Sequence, residues 1–141
     1  GVMPVRVRDL MHPAEHVPGG VSVAAAARLM DRKHSDSLLV DHNNILGIVT
    51  ERDILRKVVA KGLDPAHLIV ADIMSYPLHK ISPDADIDTA SEMMDQHTTR
   101  RLVVGDDNIE GMITAASIAK NIRYITASRL VASRTGFEVA H

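Results

Sequence analysis

Thr50-Glu51-Arg52-Asp53 sets a hydroxyl and a carboxylate three residues apart, where a short apolar strand gives way to a helix. An ionised carboxylate can accept both hydroxyls of a cis-diol, and each such charge-assisted hydrogen bond is worth about 1.5–3 kcal/mol. The same residues also fit a capping box, with Thr50 closing the helix N-terminus and Asp53 reaching back to a backbone N–H. Thr114-Ala115-Ala116-Ser117 repeats the arrangement with serine in place of the carboxylate. Serine still caps but offers a neutral acceptor of shorter reach, so two unequal sites are expected. Arg100-Arg101, just ahead of an apolar strand, has the charge to hold a phosphate, whereas the corresponding pair earlier in the chain is Asp36-Ser37. The plainer reading of the arginines is a solvated pair at a sheet edge.

Other chemistries find less support. His12-Pro13-Ala14-Glu15-His16 fits the H-x-x-E-H pattern of one zinc-peptidase class. That chemistry needs both histidines on one face of a continuous helix, and Pro13 and the run Val17-Pro18-Gly19-Gly20 oppose one. Cysteine is absent, which removes thiolate chemistry and disulfides. No nucleophile elbow, P-loop or dinucleotide-binding glycine pattern appears, so neither an enzyme nor a metal site nor a catalytic cofactor is expected. A net charge of -2 and an aromatic content of two Tyr and one Phe disfavour nucleic acid, which favours positive charge and stacking platforms. No apolar run reaches membrane-spanning length, and the start GVMPVRVRDL lacks a signal-peptide core, so a cytoplasmic location is expected.

The elements that position these residues occur twice. Residues 38–56 (LLVDHNNILGIVTERDILR) align with 102–120 (LVVGDDNIEGMITAASIAK) at a constant shift, pairing Asn44 with Asn108, Gly47 with Gly111 and Thr50 with Thr114. Upstream, Ala26, Met30 and Asp31 pair with Ala90, Met94 and Asp95, and VRDLM (7–11) matches VADIM (70–74). Each copy shows a helix with apolar residues at helical spacing (23–34 and 87–97), then a strand, a polar turn, a second strand and a second helix. Gly62 and Pro65 end the first copy's last helix. The expected fold is α+β, two tandem βαββα repeats covering 5–66 and 67–127 and packed with pseudo-twofold symmetry, because a lone sheet would leave one face uncovered. Residues 128–141 form a tail without a counterpart. In it the last helix is expected to extend through Leu130 and Val131 and stop at Gly136, with Phe137 and Val139 free to pack.

The duplicated unit resembles the CBS domain, and the pair looks like a stand-alone Bateman module. VRDLM, GIVTERDILRKV, the linker KGLDP and VADIM carry the likeness, which covers about 5–127. The resemblance implies a regulatory module that binds an adenosine-containing ligand (AMP, ADP, ATP, S-adenosylmethionine or NAD(H)) in the cleft between repeats and modulates an unidentified partner protein. It also implies homodimers. By the same resemblance Asp53 holds the ribose hydroxyls, Thr50 lies beside the sugar or phosphate, and Arg100 and Arg101 reach the phosphates. With almost no aromatics available, the base is expected among Val17, Pro18, His34, Ser35 and Val49, although core packing accounts equally well for Val17 and Val49. A weaker second site would use Thr114, Ser117, Ile81, Ser82 and Pro83. The competing reading is an interaction or dimerisation scaffold whose pocket has decayed. A nucleic-acid accessory role ranks third.

Overall fold

The computed structural model describes residues 5–139, with side chains through Ser133. Val7–Leu10 form α1, His16–Pro18 β1, Val23–Lys33 α2, Ser37–His42 β2, Ile45–Thr50 β3 and Glu51–Ile54 α3. A π-helical turn, Leu55–Val59, continues α3, and a 3-10 turn occupies Val70–Asp72. The second copy contributes β4 (Lys80–Ile81), α4 (Ile87–Gln96), β5 (Arg101–Gly105), β6 (Ile109–Thr114), α5 (Ala115–Lys120) and α6 (Ile122–Val139). These build two three-stranded sheets, in the orders β1-β2-β3 and β4-β5-β6. In each, the first pair is parallel and the second antiparallel, as the mixed α+β repeat requires.

The hairpins follow from the turn residues. Asn43 and Asn44, at φ 49° and 64°, join β2 to β3 as a two-residue loop, and the left-handed region is one that asparagine tolerates. In the second copy Gly105, at φ 129°, forms a bulge in which a side chain would meet the carbonyl of Asn108. The middle strand of each sheet is buried on both faces, which is why it reads as an unbroken apolar run. In the first copy Leu38 and Val40 join Val17, Val23, Ala26, Met30, Val49 and Val58 in one core, each large side chain adding about 1.5–3 kcal/mol. Leu102, Val104, Ile113, Ile87 and Met94 do the same in the second.

The chain folds as two compact units that do not follow the order of the repeats. One is Ala14–Leu78, and the other joins the segment ending at Pro13 to the chain from His79 onward. VADIM therefore completes the first sheet's core through Val70, Ile73 and Met74, and VRDLM the second's through Val7 and Leu10. The repeated glycines make room for these segments. A Cβ at Gly47 would lie 2.6 Å from Met74 Sδ, and one at Gly111 would lie 2.5 Å from the carbonyl oxygen of His12. In the linker KGLDP, Gly62 at φ 68° follows the π turn, and Leu63 donates to the carbonyl of Val58 at 3.0 Å. Asp64 accepts from the N–H of Ala66 and pairs with His67, which holds its carboxyl below the ordinary value.

Two details depart from expectation. The final helix is split at Asn121 into α5 and α6, and α6 runs past Gly136 to Val139. A single glycine costs a helix only about 1 kcal/mol, too little to end one by itself. The side chains of Phe137 and Val139 lie outside the described residues. No helix among the described residues is long and apolar enough to cross a membrane.

The helices α2 and α4 end alike. His34 and Thr98 stand in the left-handed region at φ 51° and 50°, and the next residue donates back to Met30 or Met94 at 2.9 Å. This geometry favours glycine, and a β-branched residue there is strained. Thr98→Gly should stabilise the protein by about 0.5–1 kcal/mol. A rise in the thermal unfolding midpoint would report it, and an unchanged or lower midpoint would count against the strain.

Candidate functional site

In each copy a strand hands over to a helix without a loop, and that junction carries the polar chemistry. Thr50 ends β3 in extended conformation, and Glu51 begins α3. Thr50 Oγ1 accepts from the backbone N–H of Asp53 at 3.2 Å, satisfying one of the helix's open donors. The Asp53 carboxylate returns to Thr50, taking the backbone N–H at 2.9 Å and the hydroxyl at 3.1 Å, both on Oδ2. Oδ1 lies 3.2 Å from the ammonium of Lys57, one turn along. The side chain of Asp53 is only 15% exposed. The capping box that the sequence spells out is therefore formed, with the carboxylate held at the junction by two hydrogen bonds and an ion pair.

The remaining residues of the expected first site divide by what their side chains do. Val17, on β1, and Val49, on β3, lie on either side of β2, opposite Val40 and Leu38, and both are buried in the core. Pro18 and His34 are exposed, and Ser35 is half-buried, its hydroxyl donating to the carbonyl of Ser37 at 2.7 Å. Asp36 also belongs to this junction, since its carbonyl accepts from the N–H of Glu51 at 3.0 Å.

The second junction has the same frame and different charge. Thr114 Oγ1 accepts from the N–H of Ser117 at 3.0 Å, and Ser117 Oγ accepts from the N–H of Thr114 at 3.1 Å. That hydroxyl also donates to the carbonyl of Thr114 at 2.8 Å, so the shorter side chain folds entirely onto the backbone turn. Arg101 opens β5 directly opposite Thr114, and the carbonyl of Arg100 accepts from the N–H of Ala115 at 2.9 Å. The two arginines thus stand beside the neutral threonine–serine pair, where the first junction has Asp36 and Ser37. The first junction thus carries a carboxylate paired with a lysine, and the second two arginines beside a serine.

The segment Ile81, Ser82 and Pro83 leads out of β4 with Ile81 and Pro83 buried. It is fastened from α1, because Arg8 donates its N–H to the carbonyl of Pro83 at 3.0 Å and its guanidinium to Asp84. That pairing raises the pKa of Arg8 above its ordinary value. His12, Glu15 and His16 share no helix, since α1 ends at Leu10 and His16 opens β1. Among the described residues no group of three His, Cys, Asp or Glu gathers as metal ligands would. The sequence reading passed over Lys57, although its spacing of four from Asp53 on a helix is the signal for such a pair.

Two stretches, residues 7–60 and 70–124, match the CBS domain. An uncharacterized protein of Methanocaldococcus jannaschii is 36% identical over 110 residues, which are 74% of this chain and 59% of that one. The chain spans about half the length of this relative and of its Methanopyrus kandleri counterpart. Among solved structures, a hexameric CBS-CP12 protein from bloom-forming cyanobacteria superposes with a TM-score of 0.77 at 30% identity, covering 83% of this chain and 67% of that one. A CBS domain protein of Pyrobaculum aerophilum complexed with AMP superposes with a TM-score of 0.71 at 20% identity, covering 87% and 99%.

If the threonine cap organises each junction, Thr50→Val and Thr114→Val, which keep the shape and remove the hydroxyl, should each cost about 1–2 kcal/mol. Urea unfolding of the two variants checks this, and a loss under a few tenths would show that the strand alone sets the junction.

Proposed function

The chain belongs to the CBS-domain family as a tandem pair, and on that premise we propose that it is a regulatory sensor of an adenosine-containing nucleotide. The observation that carries the proposal is the charge division between the two junctions. Asp53 offers a largely buried carboxylate in the first turn of α3, an acceptor for the hydroxyls of a ribose diol. Arg100 and Arg101 stand at the other junction, where phosphate is the group that their charge fits. AMP and its relatives carry both of these groups, a diol and a phosphate. Val17, Pro18, His34, Ser35 and Val49 are then the residues proposed to take the base, mainly through backbone groups. Thr114, Ser117, Ile81, Ser82 and Pro83 make the weaker counterpart. The fold has been seen with AMP in the Pyrobaculum aerophilum protein, which supports the ligand class.

A scaffold reading has its own observation. Leu55 and Val59, one turn apart on the helix, and Leu63 beyond its end are 59%, 61% and 49% exposed. Exposed apolar side chains of this size suit a second protein surface, a homodimer included. Homodimerisation and a cytoplasmic setting belong with the proposal.

A thermal-shift screen with AMP, ADP, ATP, S-adenosylmethionine and NADH separates the readings, since a ligand at a hundred times its Kd adds about 2.7 kcal/mol of stability. We expect at least one adenosine ligand to stabilise the protein and Asp53→Asn to weaken it about 10-fold or more. Replacing Arg100 and Arg101 by Ala should weaken AMP while leaving adenosine unchanged. A screen without any shift, alongside a dimer broken by Leu55→Asp, would favour the scaffold.

A further inference from the structure

We propose that Lys57 is a displaceable counter-ion latch on the Asp53 carboxylate, against which a ribose diol must compete. The proposal rests on the assignment of Asp53 to the ribose. Lys57 Nζ lies 3.2 Å from Asp53 Oδ1 and donates to the carbonyl oxygen of Ile73 at 2.8 Å. A carboxylate has about four lone-pair positions. The N–H and hydroxyl of Thr50 occupy two on Oδ2. A cis-diol needs the two on Oδ1, and the Lys57 ammonium lies against that oxygen as an ion pair.

The group that yields is set by how each donor is held. The N–H of Thr50 is fixed by the start of α3, and its hydroxyl also accepts from the N–H of Asp53. Lys57 is on a flexible stem and 44% exposed. An ion pair with that much water contributes little net stability, so two charge-assisted bonds from a diol outweigh it. Lys57 also sits in the middle of the π-helical turn Leu55–Val59, closed by Ala60 N–H on the carbonyl of Leu55 at 2.8 Å. Turns of this width concentrate at functional sites.

The second copy provides an internal control. Ser117 and Asn121 stand where Asp53 and Lys57 do, so both charges are absent together. Asn121 Nδ2 donates to the carbonyl of Ser117 at 2.6 Å and stays on its own helix. In the first copy the ammonium instead ties the carboxylate to Ile73, at the end of the 3-10 turn. Beyond it Ser75 exchanges two backbone bonds with Ile48, at 2.8 and 3.0 Å. One ammonium shared by two acceptors links them reciprocally. A diol entering at Asp53 loosens the hold on Ile73, and displacement of residues 73–75 loosens the hold on Asp53.

Calorimetry with adenosine, which has the diol and no phosphate, and with AMP tests this on the wild type, Lys57→Met and Asp53→Asn. Lys57→Met should bind both probes about 3- to 10-fold tighter than wild type. Hydrogen exchange at the amides of Met74 and Ser75 should rise on binding in the wild type. In Lys57→Met it should be raised already and insensitive to ligand. If Lys57→Met binds AMP more weakly and adenosine equally, Lys57 is a phosphate contact and the latch is refuted. Unchanged affinities refute it too. If the wild type binds neither probe, or Asp53→Asn binds as the wild type does, the ribose assignment itself falls and takes the latch with it.

Discussion

A helix that begins on the residue after a strand has no loop in which to satisfy its first N–H groups, and that constraint governs both junctions. The threonine at each strand end solves it with one hydroxyl. The residue three further on must then carry an oxygen that turns back toward the threonine. Aspartate and serine both meet that backbone demand, which leaves the charge of the position free to vary without disturbing the fold. The chemistry of the protein is written into that freedom. One copy keeps a carboxylate where the backbone needs only an acceptor, and the other gives up the carboxylate and sets two arginines on the adjoining strand.

Because the capping geometry uses one oxygen of Asp53, structural and binding duties are not exclusive for this residue. Oδ2 belongs to Thr50, while Oδ1 faces only a half-exposed ammonium. Ser117 has no such division. Its single oxygen both accepts from and donates to Thr114, so nothing is left for a ligand. The two atoms of a carboxylate, rather than its charge alone, separate the copies.

Much of this was legible in the residue order. The duplication, the helix–hairpin–helix pattern and both threonine junctions follow from spacing, since caps and turns are local and depend on neighbours within a few positions. Asn43-Asn44 announces its turn, and Gly62 its helix end. Contacts between distant residues were not legible. The grouping of Val70, Ile73 and Met74 with the first sheet, and of Val7 and Leu10 with the second, depends on packing that no local pattern encodes. The π turn and the break at Asn121 are hydrogen-bond shifts of one residue, below what apolar periodicity resolves. For Val17 and Val49 periodicity could not separate core from site, and their side chains belong to the core.

The placement of VRDLM and VADIM bears on how such a chain came into being. Each sheet's core includes a segment lying next to the other copy in the chain order, so a lone repeat cut at its sequence boundary has part of its interior bare. A single-copy ancestor built this way would have needed a sister molecule to supply the missing residues. In one polypeptide each sheet keeps the segment that it needs at any dilution. Two halves of one polypeptide also need not match, and here Asp53 and Lys57 of one stand where the other has Ser117 and Asn121.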